Sequence, residues 1–367
     1  MENNKCINIV CHYASIYGGN FIPSILSLSN SLKEQYRVIF TFPKEANDRN
    51  WVKYLIDNKQ ELFFIDFSNK AFKKELKKIN SDNNVEVLYT HFISGLRIKS
   101  IYPFSKRMKL VIHIHSDFSG GIKENFLERI KSFIEHKVLR RDASYLFVSS
   151  DAKERFKNKD NYYFVPNALC LDRVPCEKTD ISSFKKEHDI KDDDTVFLVF
   201  GWSSFVKGVD IAVKAFLASY DNKSKLIVVH KRDDGYEQCI NYLKDKIGND
   251  AFLNDKRIVF IKPNEDVFSL YGISDVLISS SRSEGFSYSI LEALYFNMHV
   301  LSSDIVGVKW CKQYENVSFY DTENYLKLSE LINNNKGFKK SKNTNEKMLR
   351  DYNITNWVKT ISSIINK

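Results

Sequence analysis

Short apolar runs rich in Val, Ile and Phe recur along the chain and alternate with segments of helical period. Runs of about four to eight residues separated by helical patterns predict parallel strands joined by crossover helices. Six of them lie in the first half, at 7–13, 36–42, 61–67, 85–92, 109–116 and 144–150. Five more lie in the second half, at 195–201, 225–230, 257–261, 276–281 and 299–304. This alternation predicts an α/β protein with doubly wound parallel sheets.

A polar stretch that begins at Cys176, CEKTDISSFKKEHDIKDDD, separates the two series of strands. We place a linker at 171–193, between an N-terminal domain at 1–170 and a C-terminal domain at 194–350. A chain of 367 residues exceeds the usual size of one domain and suits two. The tail at 351–367 carries apolar residues at helical spacing, which predicts a closing helix that packs back on the N-terminal domain.

The composition is that of a soluble globular protein. Hydrophobic residues make up 43% of the chain and charged residues 28%, and no apolar run is long enough to cross a bilayer. The N-terminus carries no signal-peptide pattern, so we expect a cytoplasmic protein. The six cysteines are scattered without a Cys-x-x-Cys pair or a zinc-type spacing to histidine. We expect reduced thiols and find no signal for a metal.

The excess positive charge lies in the first half. The chain has a net charge of +9; residues 1–170 carry 27 Lys and Arg against 18 Asp and Glu, and residues 171–367 carry 28 of each sign. A basic half indicates a nucleic acid, an anionic lipid surface or a phosphorylated substrate as partner. Charge alone does not choose between these partners.

The segment FGWSSFVKGVDIAVKAF is predicted to run from a strand through a tight loop into a helix that begins near Gly208. A helix start places free backbone amides beside Lys207, at the carboxyl edge of a parallel sheet. Amides and a lysine at this edge form an anion site of the kind that binds phosphate. The competing interpretation is a surface lysine beside a glycine that merely turns the chain.

The segment SRSEGFSYSILEAL repeats this plan and adds two glutamates. A strand ends near Ser281, the loop carries Glu284, and Ser287 is a good N-cap for the helix that contains Glu292. The amides from Gly285 to Ser289 could hold a phosphate, and each glutamate could accept hydrogen bonds from hydroxyl groups on either side of it. A nucleotide-sugar has this chemistry, because its phosphates lie between two groups that carry several hydroxyls, the ribose and the sugar. Alternatively, Glu292 simply faces water.

Two further candidates lie in the first half. Gly18 and Gly19 separate the first strand from a helix at 23–35 and would let the backbone approach a phosphate closely, although such a pair also serves as a plain turn. In HIHSD, His115 ends a central strand near the carboxyl edge, where an acid, a base or a sugar-binding group would lie. His91 ends the preceding strand in an equivalent place. A single histidine here is more often structural.

Together these residues resemble the retaining glycosyltransferase family 4, whose fold is called GT-B. The most specific element is Glu-x7-Glu in EGFSYSILE, within the longer match YGISDVLISSSRSEGF. Further similarity lies in FVKGVDIAVKAF, VPNAL, the Gly-Gly loop and HVLSSDIVG, and it is strongest from Phe200 to Gly307. The resemblance implies two Rossmann-like doubly wound domains that face a central cleft. The second domain would bind the donor, and the first would bind the acceptor.

The resemblance also implies roles for particular residues. Lys207 would bind the diphosphate of the donor, Glu292 the ribose hydroxyls and Glu284 the donor sugar. The backbone amides of Gly285, Phe286 and Ser287 would contact the sugar and the phosphates, and His115 would lie close to the transferred sugar. The leaving diphosphate would assist attack on the same face. The nucleotide-sugar, most simply a UDP-sugar, is a substrate, and the resemblance implies neither a cofactor nor a metal.

The chain departs from the family pattern in two places. Trp202, Ser203 and Ser204 follow Gly201 where many members place an arginine, so we predict that Arg282 or a group of the first domain assists Lys207 at the diphosphate. The segment GVKWCKQY lacks the acid that often follows this Val-Gly pair, which leaves the sugar specificity open. The run 192–194 of three aspartates precedes a strand and predicts solvated turn acids, not the Asp-x-Asp of a metal-dependent transferase.

The positive charge of the first half is informative about the kind of acceptor. Lysines surround an apolar stripe of Phe72, Leu76 and Ile79 in KAFKKELKKI, and the segment from Lys123 to Arg141 has a similar pattern. Such helices can lie on anionic lipid, although each stripe could equally face its own core. We predict a peripheral enzyme of the inner membrane face that glycosylates a lipid-linked glycan for a cell-surface polysaccharide. The alternatives are a nucleotide-sugar epimerase of the same fold and a basic nucleic-acid-binding protein.

Overall fold

The computed structural model describes residues 5–93, 96–115, 142–155, 160–219, 222–230, 235–264, 266–341 and 343–367. The predicted helix from Lys123 to Arg141 lies outside the described residues, as does Asp117 of the HIHSD segment. The chain divides into two compact units: unit 1 comprises Met1–Pro175 and Tyr352–Lys367, and unit 2 comprises Cys176–Asp351. The segment predicted to be a linker holds a short helix that belongs to unit 2.

Unit 1 is built on a parallel sheet of seven strands in the order β3-β2-β1-β4-β5-β6-β7. The strands are β1 Cys6–Cys11, β2 Arg37–Pro43, β3 Glu61–Ile65, β4 Val85–His91, β5 Lys109–Ile114, β6 Ser144–Phe147 and β7 Tyr162–Phe164. The helices of its first segment are α1 Phe21–Leu32, α2 Asn50–Asp57, α3 Asn69–Asp82, α4 Leu96–Ile101 and α5 Ser150–Arg155, with 3-10 helices at Lys44–Ala46 and Tyr102–Lys106.

Unit 2 is built on a parallel sheet of six strands in the order β10-β9-β8-β11-β12-β13. The strands are β8 Thr195–Gly201, β9 Ser224–His230, β10 Ile258–Ile261, β11 Val276–Ser279, β12 His299–Ser303 and β13 Val317–Tyr320. The helices are α6 Ile181–Glu187, α7 Val209–Ala218, α8 Gly235–Ile247, α9 Ala251–Asn254, α10 Val267–Ile273, α11 Tyr288–Tyr295, α12 Tyr325–Asn334 and α13 Glu346–Asp351, with a 3-10 helix at Val306–Gln313.

Both faces of each sheet are covered, which explains why the strands have apolar runs and no polar alternation. In β1, Ile7 and Ile9 pack into one cluster of the unit 1 core and Val10 packs into the cluster on the other face. In unit 2, Phe197 and Val199 of β8 pack against helix α7 through Phe216. The predicted α/β class with two doubly wound parallel sheets is confirmed.

The strand order reverses at one point in each sheet. In unit 1 the reversal lies between β1 and β4, and in unit 2 it lies between β8 and β11. Loops that leave the carboxyl ends of such neighbouring strands diverge to opposite faces of the sheet, and the crevice between them is where ligands bind in open α/β sheets. Lys207 follows β8 and Glu284 follows β11, so both lie on loops beside the reversal of unit 2.

The tail forms helix α14, Ile354–Asn366, which belongs to unit 1. Trp357, Ile361 and Ile364 of this helix join the same core cluster as Ile25 of α1. The ammonium of Lys109 donates to the carbonyl oxygens of Ile364 and Ile365, at 2.7 and 2.9 Å. These bonds satisfy two of the carbonyl groups that every helix end leaves without an internal partner.

Helix α3 buries its apolar stripe in the core of unit 1. Phe72 and Leu76 are fully buried there and Ile79 packs against the same cluster, while the four lysines of its outer face, at 73, 74, 77 and 78, are exposed. The stripe therefore faces its own core, and only the lysines can meet a charged surface. Within the described ranges, every helix is too short or too polar to span a membrane.

Candidate functional site

The loop after β8 holds Lys207 at the start of helix α7. The helix begins at Val209, with Gly208 as N-cap in the left-handed conformation, φ 61°. A side chain on Gly208 would be strained at this φ, and its Cβ would also clash with the carbonyl oxygen of Ser280. Gly208 therefore lets the loops after β8 and β11 touch. The helix start predicted near Gly208 is confirmed.

Hydrogen bonds tie the loop after β11 to its neighbours. The hydroxyl of Ser280 donates to the carbonyl oxygens of Lys207 and Gly208, at 2.9 and 2.8 Å, and the amide of Arg282 donates to Val206 at 2.7 Å. On the other side, a Cβ on Gly307 would clash with the backbone of Glu284. The loop that carries Glu284 is thus held between the loops after β8 and β12.

Lys207 and Glu284 form an ion pair. The Lys207 ammonium lies 2.5 Å from Oε1 of Glu284, and the Ser281 hydroxyl donates to the same oxygen at 2.7 Å. Both side chains are largely shielded, with exposed fractions of 13% and 11%. An ammonium has three donors, so Lys207 can hold Glu284 and still offer donors to a phosphate. The structure brings these two predicted site residues together.

Glu292 lies inside helix α11, whose first turn is capped by Ser287. The Ser287 hydroxyl accepts from the amide of Ile290, so the predicted N-cap is confirmed. Glu292 is only 6% exposed, which makes the alternative that it faces water wrong. The ring of Phe286 stacks on Trp310, with ring centroids 4.4 Å apart, so the side chain of Phe286 has a structural role. Only its backbone amide could bind a ligand.

Arg282 is engaged within unit 2. Its guanidinium forms a bidentate ion pair with Asp210 of α7, at 3.0 and 2.9 Å, and also binds Glu323 and the carbonyl oxygen of Phe205. Burial raises the pKa of Asp210, but the hydrogen bonds from Arg282 and Tyr242 outweigh it and leave the pKa lowered. Arg282 is therefore bound to acids within unit 2, and its assistance at a diphosphate stays a prediction.

Two aromatic side chains of the β8 loop are exposed, and the sequence interpretation gave them no role. Trp202 is 61% exposed with the Lys207 ammonium 5.5 Å from its ring centroid, and Phe205 is 57% exposed with the Arg282 guanidinium 4.5 Å from its ring. The signal in the sequence is Trp202 directly after Gly201, where the resemblance leads one to expect an arginine. The β8 loop thus offers one lysine and an aromatic face.

The Gly-Gly loop of unit 1 turns tightly into helix α1. Gly19 has φ 54°, and a Cβ on Gly18 would lie 2.6 Å from Val174. The side chain of Asn20 ties this turn to the segment after β7, since it donates to Ala168 at 2.6 Å and accepts from the Cys170 amide at 2.8 Å. Packing and turn geometry thus account for both glycines, and contact with a donor phosphate stays a prediction.

Three histidines meet at the carboxyl edge of the unit 1 sheet. His91 ends β4 opposite His113 of β5, and Nδ1 of His91 lies 3.0 Å from Nε2 of His115. Burial lowers the pKa of all three well below the ordinary value, for His113 to about 3, so the imidazoles are neutral. Ring nitrogens of the three residues lie within 4.8 Å of one another, close enough to be considered as metal ligands.

Sequence reasoning missed two partners of this cluster. The Tyr89 hydroxyl lies 2.8 Å from Nδ1 of His113. The ring of Phe92 stacks on His115 with centroids 4.0 Å apart, and Phe92 has a left-handed backbone, φ 58°. A bulky residue in this conformation is strained, and such strain concentrates at functional sites. Nothing in the sequence marks Phe92, because the conformation of a residue after a strand is not a property of its type.

The sequence of this chain is similar to one family model and to glycosyltransferases. Residues 180–346, which lie in unit 2, match the family model described as Glycosyl transferases group 1. An uncharacterized glycosyltransferase of Methanocaldococcus jannaschii is 23% identical over 312 residues, which are 77% of this chain and 71% of that protein. The O-antigen biosynthesis glycosyltransferase WclY of Escherichia coli is 29% identical over 41% of this chain and 42% of its own length.

Among solved structures, HepE of Anabaena in complex with UDP and glucose superposes with a TM-score of 0.77. The identity is 14%, and the match covers 98% of this chain and 99% of HepE. At this identity the likeness concerns the fold, which is GT-B. The match to the group 1 model and the similarity to glycosyltransferases indicate the activity: the protein is an enzyme, a glycosyltransferase of the GT-B fold.

Proposed function

We propose that the protein is a retaining transferase of glycosyltransferase family 4 that moves a sugar from a UDP-sugar to a glycan acceptor. The observation that carries the donor site is the Lys207–Glu284 ion pair of 2.5 Å beside the start of helix α11, at the strand-order reversal of unit 2. The relatives support this proposal, since HepE was solved with UDP and glucose.

Each site residue has a chemical task in this proposal. Lys207 and the amides at 285–287 bind the diphosphate, because an ammonium and a helix start both favour negative charge. Glu284 accepts hydrogen bonds from the sugar hydroxyls, and the buried Glu292 accepts those of the ribose. Lys207 stays bonded to Glu284 while it serves the phosphate, so the ion pair aligns the sugar and the leaving group.

The proposed chemistry needs no protein nucleophile. The acceptor hydroxyl attacks the anomeric carbon on the face that the diphosphate leaves, the glycosidic bond to phosphate breaks, and a phosphate oxygen takes the proton of the acceptor. Retention of the anomeric configuration follows. Lys207 assists because it stabilises the charge that grows on the leaving diphosphate. The role of His115 is to contact the transferred sugar.

The acceptor in this proposal is a lipid-linked glycan of a cell-surface polysaccharide. WclY, a relative, is a transferase of O-antigen biosynthesis. The first half of the chain holds the whole excess of positive charge, and the exposed lysines of α3 lie in unit 1. Positive charge near the acceptor domain favours an anionic membrane surface on the cytoplasmic side. The enzyme would act there without a cofactor or a metal.

A two-stage experiment tests this function. First, a panel of UDP-, GDP- and dTDP-sugars is screened by thermal shift, and we expect UDP-sugars to raise the melting temperature because they bind only the native state. Second, the selected donor is incubated with lipid-linked acceptors, with and without EDTA, and the product is analysed by NMR. We expect transfer with the anomeric configuration retained and no loss of rate in EDTA.

Three outcomes contradict the proposal. Inversion of the anomeric configuration excludes the retaining mechanism. A soluble sugar epimer formed without any acceptor indicates the epimerase alternative. Tight RNA binding with a steep salt dependence, and no stabilisation by any nucleotide-sugar, indicates a nucleic-acid-binding protein.

A further inference from the structure

The hydrogen bond between His91 and His115 determines which nitrogen of His115 carries its proton. Nδ1 of His91 and Nε2 of His115 lie 3.0 Å apart, so one of them donates and the other accepts. Both rings are neutral, since burial lowers the pKa of each. Each ring therefore carries one N–H, and the direction of this bond is settled by the second nitrogen of His91.

That second nitrogen is buried without an acceptor. Nε2 of His91 has no hydrogen-bond partner among the described residues, and His91 is fully buried. A buried N–H without an acceptor costs about 1–3 kcal/mol, and orphaned buried N–H groups are rarer than bare acceptors. The proton of His91 therefore belongs on Nδ1. Nδ1–H of His91 donates to Nε2 of His115, and His115 must carry its own proton on Nδ1.

The surroundings hold both rings in this arrangement. Phe92 stacks on His115 with ring centroids 4.0 Å apart and Phe21 meets the His91 ring edge at 5.2 Å, so both imidazoles are packed by aromatic neighbours in this arrangement. His113 does not compete, because its Nδ1 is bonded to the Tyr89 hydroxyl at 2.8 Å and its Nε2 forms no hydrogen bond with any described residue. No described residue forms a hydrogen bond with Nδ1 of His115, and this side chain is only partly buried.

We propose that His91 is a positioning residue that fixes the proton of His115 on Nδ1, so that His115 meets its ligand as a hydrogen-bond donor and not as a base. The assignment of the ligand as the donor sugar rests on the proposed function. On that function, Nδ1–H of His115 donates to a hydroxyl of the transferred sugar. His91 itself touches no substrate and acts through His115.

Imidazole NMR tests the proton position without any substrate. In nitrogen-15-labelled protein, the protonated and bare nitrogens of a neutral imidazole resonate far apart, so the tautomer of His115 is read directly. We expect the Nδ1–H form in the wild type and in His91→Asn, because the Asn amide nitrogen takes the place of Nδ1 as donor. In His91→Leu the donor is absent, and we expect a mixture of tautomers. His299→Asn, in unit 2, is the matched control.

Three results would contradict the proposed position of the proton on His115. His115 with its proton on Nε2 in the wild type overturns the proposal, as does an unchanged Nδ1–H form in His91→Leu. A zinc ion that copurifies in stoichiometric amount and is lost in His91→Leu also overturns it, because the ring nitrogens would then be metal ligands. The circular dichroism spectrum of each variant checks that it folds.

Kinetics test the consequence for the reaction. In His91→Leu we expect kcat to fall about ten-fold or more with the donor KM nearly unchanged, and in His91→Asn we expect most of the rate to return. A merely structural role would lower the stability of both variants and would not separate Asn from Leu. Equal kcat in all three proteins overturns the positioning role. If the wild type transfers no sugar, the proposed function is contradicted and the positioning role is not. The imidazole NMR measurement then still decides which nitrogen of His115 carries the proton.

Discussion

At the scale of single residues, the close approach of two loops in unit 2 depends on Gly208. Its backbone has φ 61°, and a Cβ there would clash with the Ser280 carbonyl oxygen. The loops after β8 and β11 carry Lys207 and Glu284, so a side chain at 208 would push the two site residues apart. This requirement is visible only in the structure, because the sequence shows a glycine but not what lies against it.

Gly208→Ala should destabilise the protein by about 2 kcal/mol or more, from backbone strain and the clash together. Two control variants separate these causes. Gly248 has φ 83° in open space, so Gly248→Ala reports strain alone. Gly272, in helix α10, has open space and no left-handed φ, so Gly272→Ala should stabilise by about 0.5–1 kcal/mol. Urea unfolding measures all three, and equal stabilities of Gly208→Ala and Gly248→Ala would contradict the clash.

We expect the buried histidines to make the stability of the protein fall in acid. His113 has a folded pKa of about 3, below the ordinary 6.5, so between these pH values the unfolded chain binds more protons than the folded one. The contribution is therefore constant above pH 6.5 and is lost as the pH falls from about 6.5 towards 3. The slope is at most about 1.4 kcal/mol per pH unit for this residue.

His113→Phe should remove part of this slope. Urea unfolding of the wild type and the variant between about pH 7.5 and pH 5 measures it. We expect the free energy of unfolding to fall less steeply with acid in the variant, with the two curves converging as the pH is lowered. Parallel curves would show that His113 titrates equally in the folded and unfolded states.

At the scale of elements, the sequence predicts eleven of the strands and misses β7 and β13. The predicted runs are long, apolar and β-branched because their strands are buried on both faces, as in β8, which is predicted at its observed bounds. The missed strands lie at sheet edges, where Tyr162–Phe164 has three residues and Val317–Tyr320 is mostly half-buried. Such short edge strands lack the apolar run that marks a strand.

The same limit applies to the site. Lys207 and Glu284 stand beside recognisable helix starts and Glu292 lies inside one of these helices, so local patterns suffice to mark the three as candidates. The partners of Arg282 and His91 are set by strand register and by residues distant in sequence: Asp210 lies 72 positions from Arg282. His91 meets His115 because β4 and β5 pair His91 with His113. Neither contact has a local signature.

Helix α14 should contribute to the stability of unit 1 although unit 2 separates it in sequence from the rest of that unit. Ile361 is fully buried, so Ile361→Ala should cost about 2–5 kcal/mol through lost burial and the cavity it leaves. Lys359→Ala, on the exposed face of the same helix, is the matched control and should change stability by less than about 0.5 kcal/mol. Urea unfolding compares them, and equal effects would mean that the helix is not anchored through its apolar face.

At the scale of the whole molecule, the positive charge is distributed unevenly between the two halves of the sequence. The first half holds an excess of nine positive charges and the second half none, and the apolar stripe of α3 is buried. Any association of α3 with a membrane is therefore electrostatic, since its apolar face is not available for insertion. Electrostatic association is screened by salt, with a Debye length of about 10 Å at 0.1 M.

The protein should cosediment with phosphatidylglycerol vesicles at low salt and dissociate when salt is raised from about 0.05 to about 0.5 M. Reversal of the four exposed lysines of α3 to glutamate should abolish binding, at about 1 kcal/mol per residue. The matched control reverses four exposed lysines of unit 2, at 244, 246, 256 and 262. Equal binding of the two variants, or equal binding to neutral vesicles, would remove the basis for an inner-membrane location.

The proposed donor site in unit 2 is tested most directly by isothermal titration with the nucleoside diphosphate that the thermal screen selects, expected to be UDP. Lys207→Ala should weaken binding about ten- to a hundred-fold, because a hydrogen bond to a charged group contributes about 1.5–3 kcal/mol. Lys214→Ala, on the following helix, should bind like the wild type. If Lys207→Ala binds UDP as tightly as the wild type, the Lys207–Glu284 pair is not the donor site.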